Sequence, residues 1–233
     1  MASKNIILLH GWGASSKKLK PLEKELVHLG WKVVIPKLAG FEKPVTSVWD
    51  LDRYSTYVTK IAVKHFDNDK YIVFGHSFGG RIAVKMGLRS NRVSGLVLCA
   101  SGGFSRASKV KRMVFFIAAK AGKIFLVIPI FSKMFRKGLY KVAREHDYEK
   151  LGFTMKKTFQ NVINEDLRKV IHKVKVPILI LWGLEDKMTP IGDARFIKRN
   201  SAYSQMFIYK NQGHKLPYNL SKSIACKIDN YFK

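Results

Sequence analysis

The sequence predicts an α/β protein in which helices flank a mostly parallel sheet of about six strands. Three observations support this fold class. Short apolar runs rich in β-branched residues alternate with helix-like segments. These runs are almost continuously hydrophobic, as expected for strands buried on both faces. The length of 233 residues is common for a single α/β domain.

The predicted strands are apolar runs bounded by turn-forming residues. They lie near residues 5–10, 32–36, 71–75, 94–100, 177–182 and 205–210.

Helices are predicted between these strands. In KLKPLEKELVHLG, Leu22, Leu26 and Leu29 share one helical face, and Gly30 follows as a stop signal. Further helices are expected around residues 48–66, 79–89, 192–199 and 219–231.

One interval interrupts the alternation of strands and helices. About 75 residues separate the strand ending near Ala100 from the strand starting at Pro177, far more than a crossover needs. The stretch 105–175 has a mostly helical pattern, so we interpret it as an inserted helical cap or lid. Residues 1–104 and 176–233 are then expected to form the core.

Part of this predicted lid is strongly apolar. The run VFFIAAKAGKIFLVIPIF covers residues 114–131, but Lys120, Lys123 and Pro129 argue against a membrane-spanning helix. A buried or interfacial amphipathic element is expected instead.

The charge of the chain is strongly positive. Lys and Arg number 43 against 16 Asp and Glu, which gives a formal net charge of +27. No acidic residue occurs between Asp69 and Glu145, whereas 16 basic residues do. Such a field attracts polyanions, anionic lipids or anionic substrates. A solvated basic face without a partner is the alternative.

Cysteine use and the N-terminal sequence bear on location. Cys99 and Cys226 fit neither a disulfide framework nor a zinc site. The segment MASKNIILLHGWG lacks the features of a secretory signal. A cytoplasmic location is therefore expected.

The segment Gly75-His76-Ser77-Phe78-Gly79 has the form GxSxG, with an apolar strand before it and a helical segment after it. A serine held in a strained strand-to-helix turn tolerates only small neighbours two positions away. Ser77 is therefore a candidate nucleophile. The alternative is a tight turn in which Ser77 only caps the helix.

A serine nucleophile needs a base, and the base needs a third group to orient it. The expected chain order for this motif is Ser, then Asp or Glu, then His. His214 follows the last strand in YKNQGHKLP and is the predicted base. His146 and His172 lie in the inserted region and are expected at the surface.

The predicted acid is Asp186 in GLEDKMTP, directly after the strand PILILW. This position is the carboxyl end of a parallel strand, where functional loops of such sheets gather. Glu185 is adjacent and remains an alternative, and Asp193 is a weaker candidate on a predicted helix.

Two backbone amides are expected to stabilise the charge that develops on an acyl oxygen. The motif supplies one from Phe78, and the loop LLHGWGAS supplies a second from Trp12. His10 in this loop is interpreted as a buried residue that holds the loop, with an extra polar contact as the alternative.

Four motifs occur in one order along the chain: HGWG (10–13), GHSFGG (75–80), VPILILWGLEDKMTP (176–190) and GH (213–214). In this the chain resembles the α/β-hydrolase family over all but the predicted lid. It is most similar to the capped carboxylesterases, including those that remove the methyl ester of a pimeloyl carrier.

The resemblance implies Ser77 as nucleophile, Asp186 as acid, His214 as base, and an oxyanion hole at Trp12 and Phe78. It also implies no metal and no organic cofactor. The family usually has two antiparallel strands before the strand leading to HGxG, and none is predicted here. A trimmed sheet of about six strands is therefore expected.

Several related functions fit the sequence less well. A serine at position 77 argues against dehalogenases and epoxide hydrolases, which use an aspartate nucleophile. Proline-type aminopeptidases hold the substrate amine with acidic cap residues, and residues 105–144 contain none. GHSFGG lacks the Lys-Ser/Thr ending of a P-loop, and no GxGxxG is present.

The predicted function is hydrolysis of a small-molecule carboxylic ester through an acyl-enzyme. Six phenylalanines are interleaved with basic residues at the start of the predicted lid and within it, and they indicate either an apolar acyl pocket or packing of the lid against the core: Phe104, Phe115, Phe116, Phe125, Phe131 and Phe135. The interleaved basic residues favour anionic or lipid-like esters as substrates.

Other functions remain open at this point. A thioesterase, an acyltransferase or a carbon–carbon bond hydrolase could use the same residues. A binding protein whose basic 105–144 region contacts an anionic membrane surface or nucleic acid is the alternative from another class. No specific nucleic-acid partner is expected.

Overall fold

The computed structural model describes residues 4–104 and 152–233, which form one six-stranded sheet with helices on both faces. The strands are β1 (Asn5–Leu9), β2 (Lys32–Val34), β3 (Tyr71–His76), β4 (Val93–Cys99), β5 (Ile178–Gly183) and β6 (Ser204–Tyr209). The α-helices described are α1 (Lys20–His28), α2 (Leu51–Phe66), α3 (Phe78–Arg89), α4 (Phe153–Asn164), α5 (Ile191–Asn200), α6 (Leu216–Asn219) and α7 (Ser221–Tyr231).

The strands lie in the order β2-β1-β3-β4-β5-β6, and every neighbouring pair is parallel. Parallel neighbours need crossover connections, which the helices supply. The predicted fold class and the count of about six strands are confirmed. The run predicted at 32–36 ends at Val34, because Pro36 has no N–H with which to continue the ladder.

The sheet separates two apolar cores. Ile7 and Leu9 of β1 face the core that also contains side chains of α2, α3 and α5. Ile6 and Leu8 face the second core, which includes side chains of α1 and α7. This alternation follows from the two-residue period of a strand. The four central strands β1, β3, β4 and β5 are buried on both faces and are largely apolar, as expected from the sequence, whereas the edge strands β2 and β6 are only partly buried and include Lys32 and Gln205.

Helix α2 starts three residues later than the sequence pattern suggested. Asp50 has an extended backbone, and its side chain accepts a hydrogen bond from the Arg53 amide. This N-cap satisfies one of the free amides of the first turn and fixes the helix start at Leu51.

The predicted cap or lid at 105–175 is only partly within the described residues, since 105–151 lie outside them. The rest contains α4 and two short 3-10 turns, Leu167–Lys169 and Ile171–Lys173. Leu167 and Ile171 are fully buried in the core shared with α2 and α3. The division into core and lid stays a prediction.

Helix α4 is fixed to the core by polar contacts. The Trp49 amide donates to the Thr158 hydroxyl over 3.0 Å, and Arg81 Nη2 donates to the carbonyl oxygens of Val162 and Glu165. The last two contacts satisfy carbonyl groups at the C-terminal end of the helix, which have no intrahelical donor.

Phe104 is the one member of the predicted phenylalanine stripe within the described residues. It is fully buried and stacks on Phe196 of α5, which indicates packing at this position. The basic stretch 105–144 and the apolar run 114–131 lie outside the described residues, so their role stays a prediction. Among the residues described, no helix has both the length and the apolar character needed to cross a membrane.

Asp193 anchors the chain where the long interval begins. Its Oδ2 accepts a hydrogen bond from the Phe104 amide over 3.2 Å, and the residue is almost fully buried. Burial raises the pKa of Asp193 to about 6, and the Phe104 amide and the charge of Arg81 offset this only in part. Folding therefore favours the protonated form of this carboxyl group.

This raised pKa predicts a pH-dependent effect of Asp193→Asn. The folded pKa lies above the ordinary value of 3.8, so the carboxylate costs stability above about pH 6, and the cost disappears as the pH falls to about 4. The melting temperature of Asp193→Asn, relative to the unchanged protein, should therefore be several degrees higher at about pH 7.5 than at about pH 4.5. Thermal denaturation at both pH values measures this.

Asp50→Asn is the control, because Asn is an equally good N-cap at an exposed site. An Asp193→Asn difference that stays constant across the pH range would contradict the prediction.

Candidate active site

The candidate residues gather at the carboxyl ends of β1, β3, β5 and β6. Leu9 of β1 pairs with Gly75 of β3, so the loop HGWG and the turn at Ser77 leave the sheet side by side. The strand order changes direction between these two strands. In open α/β sheets a crevice outside the strand ends forms at this point.

Ser77 occupies the sharp turn between β3 and α3. Its backbone has φ +53° and ψ −110°, a strained conformation for a residue with a side chain. The Ser77 amide donates to the Cys99 carbonyl over 3.0 Å, which fixes the turn against β4. A Cβ atom on Gly75 would collide with the backbone of Gly79, and one on Gly79 with the backbone of Leu9. The two glycines of GxSxG are therefore required by close backbone approach.

His214 and Asp186 form a hydrogen-bonded pair. His214 Nδ1 lies 2.8 Å from Asp186 Oδ2, and the Asp186 side chain is fully buried. Asp186 Oδ1 accepts from the amides of Met188 and Thr189 over 2.8 and 2.9 Å. Burial acts to raise the pKa of Asp186, but hydrogen bonds and charge from His214 and Thr189 outweigh it, so the pKa is below its ordinary value. The carboxyl group is therefore ionised at neutral pH.

The motifs alone did not predict Thr189, which completes the surroundings of this carboxylate. Its hydroxyl lies 2.7 Å from Asp186 Oδ2, 3.0 Å from the Ala100 carbonyl oxygen and 3.2 Å from His214 Nδ1. Its single proton is shared between the Asp186 carboxylate and the Ala100 carbonyl oxygen, so the hydroxyl lies between the acid loop and the residue that follows β4. Its position three residues after Asp186 is a turn signal that could have indicated it.

The structure separates the three acidic candidates. Only Asp186 contacts His214, whereas the Asp193 carboxylate accepts from Phe104 and Glu185 is exposed. His172, in a 3-10 turn, is also exposed, as expected. The predicted surface residue His146 lies outside the described residues.

The turn carrying Ser77 lies against the loop carrying His214. His76, the residue before Ser77, has its ring centroid 4.8 Å from that of His214. A Cβ atom on Gly11 would lie 3.3 Å from Ser77 Cβ, so the HGWG loop also adjoins the serine.

The residues predicted as amide donors, Phe78 and Trp12, belong to segments that adjoin Ser77. Phe78 is the first residue of α3, where a backbone N–H has no intrahelical acceptor. Trp12 directly follows Gly11, and its ring lies 5.2 Å from that of Phe78. His10 is fully buried with Nδ1 2.8 Å from the Gly11 carbonyl oxygen, a geometry that fits a residue holding this loop.

Aromatic rings form a wall of edge-to-face contacts beside the HGWG loop. The Trp12 ring meets the rings of Phe41, Phe78 and Phe159 at centroid distances of 4.9, 5.2 and 4.9 Å. Phe159 belongs to α4, so this helix contributes to the wall above the HGWG loop.

No cluster of three or more His, Cys, Asp or Glu side chains with the arrangement of a metal site occurs within residues 4–104 and 152–233.

Comparison with known proteins identifies the family to which this chain is similar. Residues 2–220 match the Hydrolase_4 family, described as serine aminopeptidase, S33. A solved structure of an esterase from Exiguobacterium antarcticum superposes with a TM-score of 0.72 at 18% identity, covering 99% of this chain and 92% of that one. At this identity the likeness shows the fold.

Three curated relatives align over most of their length. The AB hydrolase superfamily protein YisY of Bacillus subtilis is 25% identical, covering 97% of this chain and 90% of the relative. The proline iminopeptidase of Saccharolobus solfataricus is 25% identical, covering 91% of this chain and 79% of the relative. Lipase 1 of Psychrobacter immobilis is 22% identical, covering 92% of this chain and 72% of the relative.

The close packing at the serine turn predicts a large effect of Gly79→Ala. The added methyl group would collide with the backbone of Leu9, so β1 and α3 must move apart. We expect a loss of about 2 kcal/mol in the free energy of unfolding, typical of overpacking. Denaturant unfolding measures it.

Gly192→Ala is the matched control, since no atom lies within 4 Å of its added Cβ. At this helical position alanine should leave stability unchanged or raise it by up to about 1 kcal/mol. Equal effects of the two substitutions would contradict the packing argument.

Proposed function

The chain belongs to the Hydrolase_4 family (serine aminopeptidase, S33) and has the α/β-hydrolase fold, and from that premise we propose that it is a serine carboxylesterase acting through an acyl-enzyme. The observation that carries the proposal is the buried Asp186–His214 pair beside the strained turn of Ser77. A turn that only capped a helix would need neither the pair nor the strain. The lipase and esterase among the similar proteins support the same reaction class.

The tautomer of His214 follows from its partner. Ionised Asp186 only accepts hydrogen bonds, so the proton of neutral His214 lies on Nδ1. Nε2 then carries the lone pair and can act as a base. The Thr189 hydroxyl and two backbone amides hold the carboxylate in this orientation.

The reaction proceeds in two stages. His214 takes the Ser77 proton as Oγ bonds to the ester carbonyl carbon, and the Trp12 and Phe78 amides stabilise the oxyanion. His214 then protonates the leaving alcohol as the ester C–O bond breaks. Water, deprotonated by His214, attacks the acyl carbonyl carbon, the bond from that carbon to Ser77 Oγ breaks, and His214 returns the proton to Oγ as the acid is released.

The substrate class is proposed from the site walls and the charge. The aromatic wall at Trp12, Phe41 and Phe159 favours an apolar acyl or aromatic group. The net charge of +27 favours an ester that also carries a negative charge or a lipid-like character. We propose no cofactor and a cytoplasmic location.

The first test is hydrolysis of p-nitrophenyl esters from acetate to palmitate. Ser77→Ala should lower kcat by a factor of roughly 10⁴ to 10⁶, because the acyl-enzyme cannot form. A fluorophosphonate probe should label the unchanged protein at Ser77 and leave Ser77→Ala unlabelled. Ser90→Ala, at the far end of α3, is the control and should retain full activity.

The alternatives give different outcomes. Ser77-dependent cleavage of proline arylamides alone would identify an aminopeptidase, and preference for acyl-thioesters a thioesterase. Transfer to an added alcohol without hydrolysis would indicate an acyltransferase. Labelling at Ser77 without turnover of any ester would direct attention to carbon–carbon substrates. Ester hydrolysis that persists in Ser77→Ala contradicts the mechanism.

Asp186→Asn tests the tautomer argument. The amide oxygen can keep the two backbone N–H donors, which leaves the NH₂ group facing His214 Nδ1. It then donates to Nδ1, so the proton moves to Nε2 and the base is lost. We expect kcat/KM to fall by roughly 10³ to 10⁴.

Glu185→Gln is the matched control, because the neighbouring carboxylate is exposed. It should retain activity within about twofold, as expected for a surface change. A greater loss in Glu185→Gln than in Asp186→Asn would reverse the assignment of the acid.

A further inference from the structure

A second buried histidine lies directly before the proposed nucleophile. His76 is 3% exposed and sits at the end of β3. Its Nε2 lies 2.8 Å from the backbone carbonyl oxygen of His214, and its Nδ1 lies 3.0 Å from the Tyr218 hydroxyl. The ring therefore contacts the base loop at two points, one on each side of the imidazole.

These two contacts fix the proton on His76. A carbonyl oxygen only accepts, so Nε2 carries the hydrogen and donates to His214. Nδ1 is then an acceptor, and the Tyr218 hydroxyl donates to it. Burial, together with the nearby His214, lowers the pKa of His76 to about 3, so the ring is neutral at neutral pH.

The HGWG loop meets the same pair. A Cβ atom on Gly11 would lie 3.2 Å from His76 Nδ1, so the loop backbone packs on the ring. Burial and the nearby Cys99 raise the pKa of Tyr218 to about 12, against a smaller lowering by a hydrogen bond from the Gly11 backbone. The end of β3, the loop carrying His214 and the HGWG loop therefore meet at the side chains of His76 and Tyr218.

We infer that His76 and Tyr218 are positioning residues that hold the backbone of His214 and the HGWG loop in register with Ser77. This inference rests on the proposed function, in which Ser77, His214 and the Trp12 amide act on one substrate carbonyl. Asp186 fixes the His214 ring through Nδ1, and His76 fixes its backbone through the carbonyl oxygen. Without the second contact the ring could remain paired to Asp186 while Nε2 moves relative to Ser77.

The chain order makes such a connection necessary. His214 comes 137 positions after Ser77 in the sequence, in a loop attached to β6, whereas Ser77 follows β3. Two strands, β4 and β5, separate them in the sheet. A misplacement of about 1 Å between reacting groups can lower a rate a hundredfold. A direct hydrogen bond between the two loops limits that error.

The closing experiment compares Tyr218→Phe with Tyr231→Phe. Tyr218→Phe removes one hydroxyl and leaves the ring, and we expect kcat to fall about tenfold with KM within about twofold. The rate of fluorophosphonate labelling at Ser77 should fall by the same factor. Tyr231 donates its hydroxyl to the Ile178 carbonyl at the start of β5, away from the strand ends that carry the site, so Tyr231→Phe should retain kcat.

Two substitutions of His76 test which contact matters. The Gln amide can donate to the His214 carbonyl as Nε2 does, whereas Phe cannot. His76→Gln should therefore retain at least about tenfold more activity than His76→Phe when both are measured well below their melting temperatures. Rescue by Gln distinguishes a positioning hydrogen bond from packing alone.

The outcomes separate the inference from the proposed function. If the unchanged protein reacts with the probe at Ser77 but Tyr218→Phe keeps its kcat, the positioning role is overturned and the proposed function stands. If all variants lose activity only in proportion to their loss of melting temperature, the role is structural and the inference is again overturned. If the unchanged protein neither hydrolyses esters nor reacts at Ser77, both fall.

Discussion

The strained turn at Ser77 is the constraint on which the rest of the site depends. A non-glycine residue at φ +53° costs on the order of 1–3 kcal/mol and persists only when its surroundings hold it. Here the Ser77 amide is bound to the Cys99 carbonyl, and α3 starts at the next residue. Close backbone contact leaves no room for a side chain at Gly75 or Gly79. The fold thus presents the Ser77 hydroxyl at the strand ends on a turn that backbone contacts hold in place.

The sheet determines which partners can reach that hydroxyl. In a parallel sheet all carboxyl ends lie on one edge, so residues distant in sequence converge there. The loops after β1, β5 and β6 bring Trp12, Asp186 and His214 to the edge where β3 presents Ser77. Neutral His76 links the end of β3 to the loop after β6 without adding a charge beside the His214 ring. The order of the strands therefore decides which side chains, and which charges, lie near Ser77.

Much of this arrangement could be predicted from the sequence, because it depends on local pattern. Continuous apolar runs located all six strands, and GxSxG located the turn, since strand, turn and helix chemistry are encoded by adjacent residues. The contacts of Thr189, His76 and Tyr218 were not predicted. Each joins a side chain to a group in another segment of the chain, and nothing in the local sequence indicates which distant carbonyl or ring will lie within 3 Å. The apolar run at residues 32–36 predicts a longer strand than β2, which ends at Val34 because Pro36 lacks the N–H that would continue the ladder.

The choice among acidic residues shows what the fold adds to a motif. Asp186 and Asp193 are both buried aspartates that follow β5, and composition does not separate them. Asp186 accepts from two backbone amides, the Thr189 hydroxyl and His214, and these donors overcome burial, so its pKa falls. The Asp193 carboxyl group has fewer hydrogen-bond donors around it, so the effect of burial prevails and raises its pKa to about 6. A carboxylate that must stay ionised beside an imidazole needs the first environment. The number of hydrogen-bond donors around each carboxyl group therefore separates a group that can support a base from one that only anchors a loop.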